Sequence, residues 1–212
     1  MAAHPEPVEE HTQRMRYEEN VREAAERLHR GELIAFPTES SFGLGCDALS
    51  SSALDKLFVL KGRRRDKPPP LLISDEQMLG QVVETIPESA RDLIKSFWPG
   101  PLTLVLPARA GLPEGLVLDG GVGVRQSPHV IARELGVRFG APITASSANR
   151  AGEPPAMTAN AVRAIFPDLF VVEGECGGGS PSTVVKVERS GALYILREGA
   201  IAREKITLGQ SR

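Results

Sequence analysis

The apolar positions in the first part of the chain alternate between helical spacing and short extended runs. Apolar residues recur at helical spacing over residues 17–30, and a glycine follows, so the pattern predicts an amphipathic helix that ends there. Residues 32–36 (ELIAF) predict a strand. A second helix is predicted to begin at the possible capping box Ser52-x-x-Asp55 and to end near Lys61.

The rest of the chain continues this mixture and adds strands near its C-terminus. One helix is predicted over residues 90–97 and is ended by Pro-Gly-Pro. Two more helices are predicted, one from Ser127-Pro128 to Gly136 and one from Thr158 to about Phe166. Strands are predicted at 71–74, 102–106, 122–125, 142–146, 169–173, 182–188 and 193–197. Several of the last strands have no helix between them, which indicates one α/β domain on a mixed sheet rather than a purely alternating one.

Composition restricts the class of protein further. The chain has 212 residues, 41% hydrophobic and 25% charged, and no apolar run approaches the roughly 18 residues that span a bilayer. Residues 1–16 are acidic and lack the apolar stretch of a secretory signal, so we predict a flexible N-terminal segment, a domain over residues 17–212 and a cytoplasmic protein. Neither cysteine lies in a Cys-x-x-Cys motif, and the four histidines lack ligand spacing, so no protein metal site is predicted.

Several polar stretches could bind a ligand, although the standard phosphate-binding and hydrolase motifs are absent from the sequence. Residues 61–67 (KGRRRDK) carry five cations at the end of a predicted helix, which is either a solvated basic turn or an anion site. Residues 36–48 and 174–185 combine hydroxyls with glycines, as both turns and ligand-binding loops do. Residues 143–159 (ITASSANRAGEPPAMTA) leave hydroxyl, amide and backbone groups without an obvious partner.

Together these stretches make a more specific pattern than any of them alone. The motifs PTESSFGLG, KGR, FWPGPLTLVLP, VR, SSAN, STVV and ILREGAI occur in this order over residues 17–203. In this the sequence closely resembles the YrdC-like family of threonylcarbamoyl-AMP synthases, in its short single-domain form. The resemblance implies a twisted open α/β sheet with flanking helices around a concave, basic cavity. It also implies that L-threonine, bicarbonate or CO₂, and ATP become threonylcarbamoyl-AMP and pyrophosphate.

The resemblance implies an ATP side of the site. Lys61 and Arg63 match the family's Lys-x-Arg, which implies a catalytic role in holding the triphosphate, together with Mg²⁺ that accompanies ATP. Ser147 and Asn149 match its Ser-x-Asn and are expected to bind the nucleotide. Arg197 matches an arginine on the same side. Positioning and charge neutralisation serve this reaction more than a strong protein base does.

The resemblance implies a threonine side as well, on which Thr38, Arg125 and Ser182 match family positions. Arg125 suits a carboxylate because a guanidinium is a bidentate fork. His129 also matches in place, although an ordinary helix-surface histidine is at least as good an interpretation. The product is expected to go to partner proteins that transfer the threonylcarbamoyl group to tRNA.

Two other interpretations remain open from the sequence. The basic cavity could bind the backbone of double-stranded RNA, weakly and with a steep salt dependence. Aromatic residues make up 5% of the chain, and none lies within the basic run, which disfavours recognition of single strands by stacking. The other alternative is a relative that acts on a different carbamate or carbamoyl-adenylate.

Overall fold

The computed structural model describes residues 8–208 and, in these, a mixture of helices and short strands. The helices are α1 (Val8–His29), α2 (Ser51–Lys61), α3 (Glu76–Val82), α4 (Glu88–Phe97), α5 (Val130–Phe139), α6 (Ala159–Ile165) and α7 (Arg203–Leu208). The strands are β1 (Ile34–Pro37), β2 (Phe42–Gly45), β3 (Leu71–Leu72), β4 (Leu102–Pro107), β5 (Val117–Leu118), β6 (Gly121–Arg125), β7 (Ile143–Thr144), β8 (Ser146–Ser147), β9 (Phe170–Val171), β10 (Thr183–Val187) and β11 (Leu193–Arg197).

The strands form two open mixed sheets with helices around them, so the predicted α/β fold class is confirmed. The larger sheet has the order β11-β10-β4-β6-β3-β7, with β5 paired to β6. The smaller one has the order β8-β2-β1-β9. Both contain parallel and antiparallel pairs, for example β10 with β4 and β10 with β11. The predicted single sheet is therefore divided in two.

The chain passes from one sheet to the other within residues 143–147. Strand β7 pairs with β3 in the larger sheet, whereas β8 pairs with β2 in the smaller one. Between them, the backbone N–H of Ala145 donates to Pro70 O at 2.8 Å. The polar stretch singled out in the sequence is thus the link between the sheets, and the loop that follows it lies where their strand ends meet.

The ends of three helices differ from the predictions. Helix α1 begins at Val8 rather than Tyr17, and residues 1–7 of the predicted flexible segment lie outside the described residues. Helix α2 is capped by Ser50, whose hydroxyl accepts from the N–H of Ala53, because Ser50 is extended there. The predicted Ser52 cap lies inside this helix.

Helix α5 continues through Gly136, which was predicted to end it, and stops at Phe139 before a left-handed Gly140. A side chain at Gly136 would place its Cβ 2.0 Å from Ser74 Oγ. The glycine therefore permits close packing inside the helix rather than a turn after it. Helix α3 was not predicted, because only three of its seven residues are buried apolar positions.

The helices cover the core residues of the sheets. Helices α1 and α5 pack against β1 in one apolar cluster, and a larger cluster fills the space between the other helices and both sheets. Cys46 is buried and Cys176 half-buried, and both are free thiols. Among residues 8–208 no helix has the length and apolar character needed to cross a bilayer.

Candidate active site at the sheet junction

The residues singled out by sequence lie at the ends of elements around the sheet junction, although they come from most of the chain's length. They are Thr38 directly after β1, Lys61 at the end of α2, Arg63 two residues later, Arg125 at the end of β6, Ser147 in β8, Asn149 shortly after it, Ser182 directly before β10 and Arg197 at the end of β11. Element ends leave backbone and side-chain groups without ladder partners, so such a junction is where a ligand can be bound.

Lys61 is buried and its ammonium is surrounded by oxygens of the loop after β8. Nζ donates to Asn149 O and Asn149 Oδ1, both at 3.0 Å, and to Ser147 O. An ammonium has three N–H donors, so all three are used within the protein. Burial, with the nearby charge of Arg63, lowers the pKa of Lys61 to about 8. The ammonium of Lys61 therefore stabilises this loop by its hydrogen bonds, and burial keeps water away from its charge.

The two polar side chains of the loop are also paired with each other. Ser147 Oγ donates to Asn149 Oδ1 at 2.7 Å, and Asn149 Nδ2 donates to Glu153 O. The loop is fixed to strand β2 as well, since Ala148 N donates to Phe42 O at 2.8 Å. The groups that had no obvious partner in the sequence thus have internal partners, arranged around Lys61.

Arg63 differs from the two arginines that follow it. Its Nη1 donates to Ser146 Oγ at 3.0 Å and its Nη2 to Pro68 O at 3.3 Å, and burial lowers the pKa of this guanidinium. The side chain of Arg64 is 84% exposed and pairs with Asp66 at 3.1 Å. The third, Arg65, pairs with the exposed carboxylate of Asp55. Only the first of the three is directed toward the loop at the junction.

Arg125 lies in a second polar cluster, where its side chain is 7% exposed. Nη2 lies 2.6 Å from Glu39 Oε1, and Glu39 Oε2 accepts from Ser127 Oγ at 2.6 Å. The contact of Nη2 with Oε1 is an ion pair. Glu39 Oε1 and Arg125 Nε are each buried without a hydrogen-bond partner. Burial lowers the pKa of Arg125, Glu39 raises it, and the charge of Arg197 lowers it.

A glycine-rich loop fixes the backbone beside this cluster. Gly177 N donates to Thr38 O at 3.0 Å, and Gly179 N donates to Glu39 O at 3.2 Å. The hydroxyl of Thr38 is directed into its own turn, where it donates to Ser41 O at 2.7 Å. His129 Nε2 lies 2.9 Å from Glu175 O in the same loop, so the histidine fastens this loop rather than lying on an open helix surface.

Ser182 connects β4, β10 and β11. Its hydroxyl lies 2.8 Å from Thr103 Oγ1, and Arg197 Nη2 donates to Ser182 O at 2.9 Å. The same Nη2 lies 3.3 Å from Ser182 Oγ. Arg197 is an exposed residue, and these contacts fix its guanidinium at the end of its strand.

A cavity of about 380 Å³ lies against the face of the larger sheet beside these residues. Arg63 and Arg197 both line it, together with Thr103. Its other lining residues are mainly apolar or small: Pro68, Pro70, Val105, Leu118, Gly121, Gly123, Val184 and Leu196, with Asp119 and Lys186 adding charge. Pockets of roughly 300 to 1,000 Å³ with few convergent polar groups are typical ligand sites.

The candidate site therefore has two polar clusters, and Arg63 of the first one lines the cavity together with Arg197. The first contains Lys61, Arg63 and the loop after β8, and the second contains Glu39 and Arg125. Their cations are close enough in pairs to affect one another's pKa, Lys61 by Arg63 and Arg125 by Arg197. Two like charges brought together favour a bound anion, because the anion relieves their repulsion.

Three contributing side chains were not identified from the sequence, namely Glu39, Thr103 and Ser127, whereas Ser146 lies in the polar stretch that the sequence did single out. Glu39 and Ser127 lie next to or two residues from predicted positions, so adjacency to Thr38 and Arg125 was the available signal. Thr103 lies in a strand predicted only as core. Within residues 8–208 no group of three or more His, Cys, Asp or Glu side chains is placed to hold a metal ion.

Comparison with known proteins identifies relatives over most of the chain. The Sua5/YciO/YrdC family model, described as "Telomere recombination", matches residues 26–199. A threonylcarbamoyl-AMP synthase of Pyrococcus abyssi is 39% identical over 200 residues, which are 91% of this chain and 58% of that protein. One of Chromohalobacter salexigens is 38% identical over 170 residues, which are 78% of this chain and 91% of that protein.

A solved structure agrees with these sequence matches. The crystal structure of P. abyssi Sua5 complexed with L-threonine superposes with a TM-score of 0.83 at 37% identity. The alignment covers 89% of this chain and 56% of the Sua5 chain. The chain thus spans little more than half the length of the Pyrococcus proteins and nearly all of the Chromohalobacter one.

Proposed function

The chain belongs to the Sua5/YciO/YrdC family, and from that premise we propose that it is an L-threonylcarbamoyladenylate synthase, a nucleotidyltransferase. Its substrates are L-threonine, bicarbonate or CO₂, and ATP. Its products are threonylcarbamoyl-AMP and pyrophosphate. The names of the relatives and the L-threonine in the P. abyssi structure support the choice of reaction and of amino acid.

The chemistry requires positioning of three reactants more than it requires a protein nucleophile. The threonine amine adds to CO₂ and releases a proton, which gives a carbamate. A carbamate oxygen then attacks the α-phosphorus of ATP, and the bond to pyrophosphate breaks. Each step concentrates negative charge, so fixed cations in a poorly solvated site are the groups that accelerate it.

The observation that carries the proposal is the pair of cationic groups on one cavity. Arg63 and Arg197 are far apart in the sequence but line the same 380 Å³ cavity. Each lies beside a second, buried cation, Lys61 or Arg125. The net charge of the whole chain is −2, so this concentration of positive charge is a local property of the site.

We assign ATP to the side of Lys61, Arg63 and Arg197. Arg63 contacts the phosphates from its fixed position on Ser146, and Arg197 closes the other edge of the cavity. Lys61 reaches a phosphate oxygen by exchanging one of its three loop oxygens for it, which couples nucleotide binding to the loop that carries Ser147 and Asn149.

The adenosine occupies the apolar part of the cavity in this proposal. Gly123 is open there, because a Cβ at that position would meet its nearest atoms, Pro70 Cα and Thr103 Cγ2, at 3.7 and 3.8 Å. These are ordinary van der Waals distances, so the absence of a side chain at Gly123 leaves room rather than avoiding a clash. A planar base against a glycine-bearing strand uses that room.

Mg²⁺ enters with ATP and needs few protein ligands. In proteins it keeps several waters and binds substrate phosphates with one or two carboxylates. Asp119 is a carboxylate in the lining of the cavity, so the residues present fit such an ion. When bound, Mg²⁺ neutralises phosphate charge, while Arg63 orients the same phosphates.

We assign L-threonine to the side of the second cluster, where Arg125 binds it together with Thr38 and Ser182. Arg125 offers the buried, unpartnered Nε to a carboxylate. Thr38 directly follows β1 of the smaller sheet and Ser182 directly precedes β10 of the larger sheet. The hydroxyl of each can exchange an internal partner for the substrate. The product then passes to proteins that transfer the threonylcarbamoyl group to tRNA, and we place this reaction in the cytoplasm.

The test is the dependence of pyrophosphate release on its co-substrates. Release should require threonine and bicarbonate together, because the attacking group exists only after the amine is carboxylated. The purified chain is incubated with ATP, Mg²⁺, bicarbonate and each amino acid in turn, and the adenylate is identified by mass spectrometry. Equal release of pyrophosphate after bicarbonate and CO₂ are removed would reject the mechanism, and an adenylate of another amino acid would replace threonine in it.

A further inference from the structure

Glu39 is an acidic residue of the site that is held by two partners, Arg125 and Ser127. Its side chain is 16% exposed. One carboxylate oxygen, Oε2, accepts a hydrogen bond from Ser127 Oγ at 2.6 Å. The other, Oε1, is buried, lies 2.6 Å from Arg125 Nη2, and has no hydrogen-bond partner. A buried carboxylate oxygen with unused hydrogen-bonding capacity is uncommon and needs an explanation.

The backbone of Glu39 is held as firmly as its side chain. Gly179 N donates to Glu39 O at 3.2 Å. A Cβ at Gly177 would lie 2.5 Å from the same carbonyl oxygen, so the glycine-rich loop packs directly on it. The glycine-rich loop thus fixes the backbone of Glu39, while Ser127 and Arg125 fix its carboxylate. The arrangement is preorganised before any ligand binds.

The two buried atoms without hydrogen-bond partners are one acceptor, on Glu39, and one donor, on Arg125. Oε1 of Glu39 can accept one more hydrogen bond, and the buried Nε of Arg125 can donate one. An α-amino acid carries a donor, its amino group, and an acceptor, its carboxylate, on a single carbon atom. Glu39 Oε1 and Arg125 Nε likewise lie close together, because they belong to one ion pair, and one accepts while the other donates. A guanidinium has five N–H donors, so Arg125 can bind Glu39 and a second carboxylate together.

We propose that Glu39 binds the amino group of the substrate amino acid through Oε1 while Arg125 binds its carboxylate through Nε. The proposal rests on the proposed function for the identity of the amino acid. It makes Glu39 a residue that selects for an amine and orients it toward CO₂. After carboxylation the nitrogen of the carbamate still carries one N–H, so the same contact holds the intermediate.

The test separates recognition of the amine from recognition of the carboxylate, by calorimetry on the full chain without ATP. Three probes are titrated: L-threonine, its methyl ester, and the analogue with a hydroxyl in place of the amino group. The wild-type chain should prefer L-threonine to both analogues. Glu39→Gln should reduce the preference over the hydroxy analogue by about tenfold or more, which is the effect of losing a hydrogen bond to a charged group. Its preference over the methyl ester should change by less than about threefold.

Two further variants complete the design. Ser127→Ala releases Oε2 but keeps the carboxylate, so it should change the same preference in the same direction by a smaller factor. It also tests the proposal if Glu39→Gln does not fold, as judged by circular dichroism. The matched control is Glu134→Gln, which removes a carboxylate paired with Arg138 at 2.7 Å on helix α5, and it should leave both preferences unchanged.

Other results overturn the proposal. An unchanged preference over the hydroxy analogue in Glu39→Gln means that Oε1 does not bind the amine. An equal loss of both preferences means that Glu39 acts only by holding Arg125. A wild-type chain that does not bind L-threonine refutes the paired site as well. The proposed function is judged separately, since a chain that shows the expected binding pattern but forms no adenylate rejects the reaction and keeps the site.

Discussion

The three consecutive arginines after helix α2 give the sharpest test of the site, because a general basic patch would treat them as equivalent. The structure separates them. Arg63 donates to Ser146 Oγ and Pro68 O and lines the cavity, whereas Arg64 is 84% exposed on its side chain and pairs with Asp66. Arg65 pairs with Asp55, and its guanidinium lies 5.5 Å from the ring centroid of Phe58.

The expected magnitudes follow from these environments. Arg63 is a fixed donor in a partly desolvated place, and removing such a donor from a transition state costs about 3 to 4 kcal/mol, or roughly a hundred- to a thousand-fold in rate. Exposed charges are worth about 1 kcal/mol or less, so Arg64→Ala and Arg65→Ala should stay within about tenfold of the wild-type rate. Arg63→Ala should nearly abolish formation of threonylcarbamoyl-AMP.

The assay is the steady-state rate of each purified variant at saturating threonine and bicarbonate, with folding compared by circular dichroism. The pKa of Lys61 gives a second measurement on Arg63→Ala, because the charge of Arg63 contributes to lowering that pKa. Removing it should move that pKa upward. Three similar, graded losses among the variants would refute the reasoning, since they would indicate a diffuse electrostatic patch without a positioned donor.

Two further predictions follow from the same site. Lys61 has a pKa of about 8, lowered by burial and by Arg63, so its charge is present below this pH and lost above it. We expect kcat/KM for ATP to fall above about pH 8 in the wild type. The fall should be absent in Lys61→Gln. A wild-type profile of kcat/KM that stays flat to about pH 9.5 contradicts the prediction. Gly123→Val should raise KM for ATP by about tenfold or more while threonine affinity in calorimetry is kept, with Gly123→Ala as the milder control; an unchanged KM would exclude the base from this cavity.

The sequence predicted most of the fold because most elements have a local cause. The ends of α4 and α6 follow from Pro-Gly-Pro and from the Thr158 cap, whose hydroxyl accepts from Ala161 N at 3.1 Å. The helix end predicted at Gly136 is wrong because the reason for a glycine at this position is a tertiary contact and not a local turn. The space it leaves is filled by Ser74, which is distant in sequence, and one chain without contacts gives no sign of that.

The same distinction applies to the candidate site. The motifs located Lys61, Ser147 and Asn149 but not the contacts among them, because a contact is defined by the tertiary structure. The acceptors of Lys61 are two backbone oxygens and one amide oxygen, and backbone oxygens carry no signal in a sequence. Glu39 lay inside a recognised motif, yet nothing in the spacing between Glu39 and Arg125 indicates that they form an ion pair.

The proposed anion site lies in a chain that is not basic overall. Its net charge is −2, so long-range attraction does not bring anions to it. Its exposed arginines are largely neutralised by neighbouring carboxylates, as Arg64 is by Asp66. Within the described part of the chain, the partners of Lys61 and Arg63 are uncharged oxygens. Their charge is therefore uncompensated until a ligand arrives. On the proposed function, the cations without an acidic partner are expected to bind the polyphosphate. Arg125, which is paired with Glu39, is then expected to bind the less highly charged carboxylate of the amino acid.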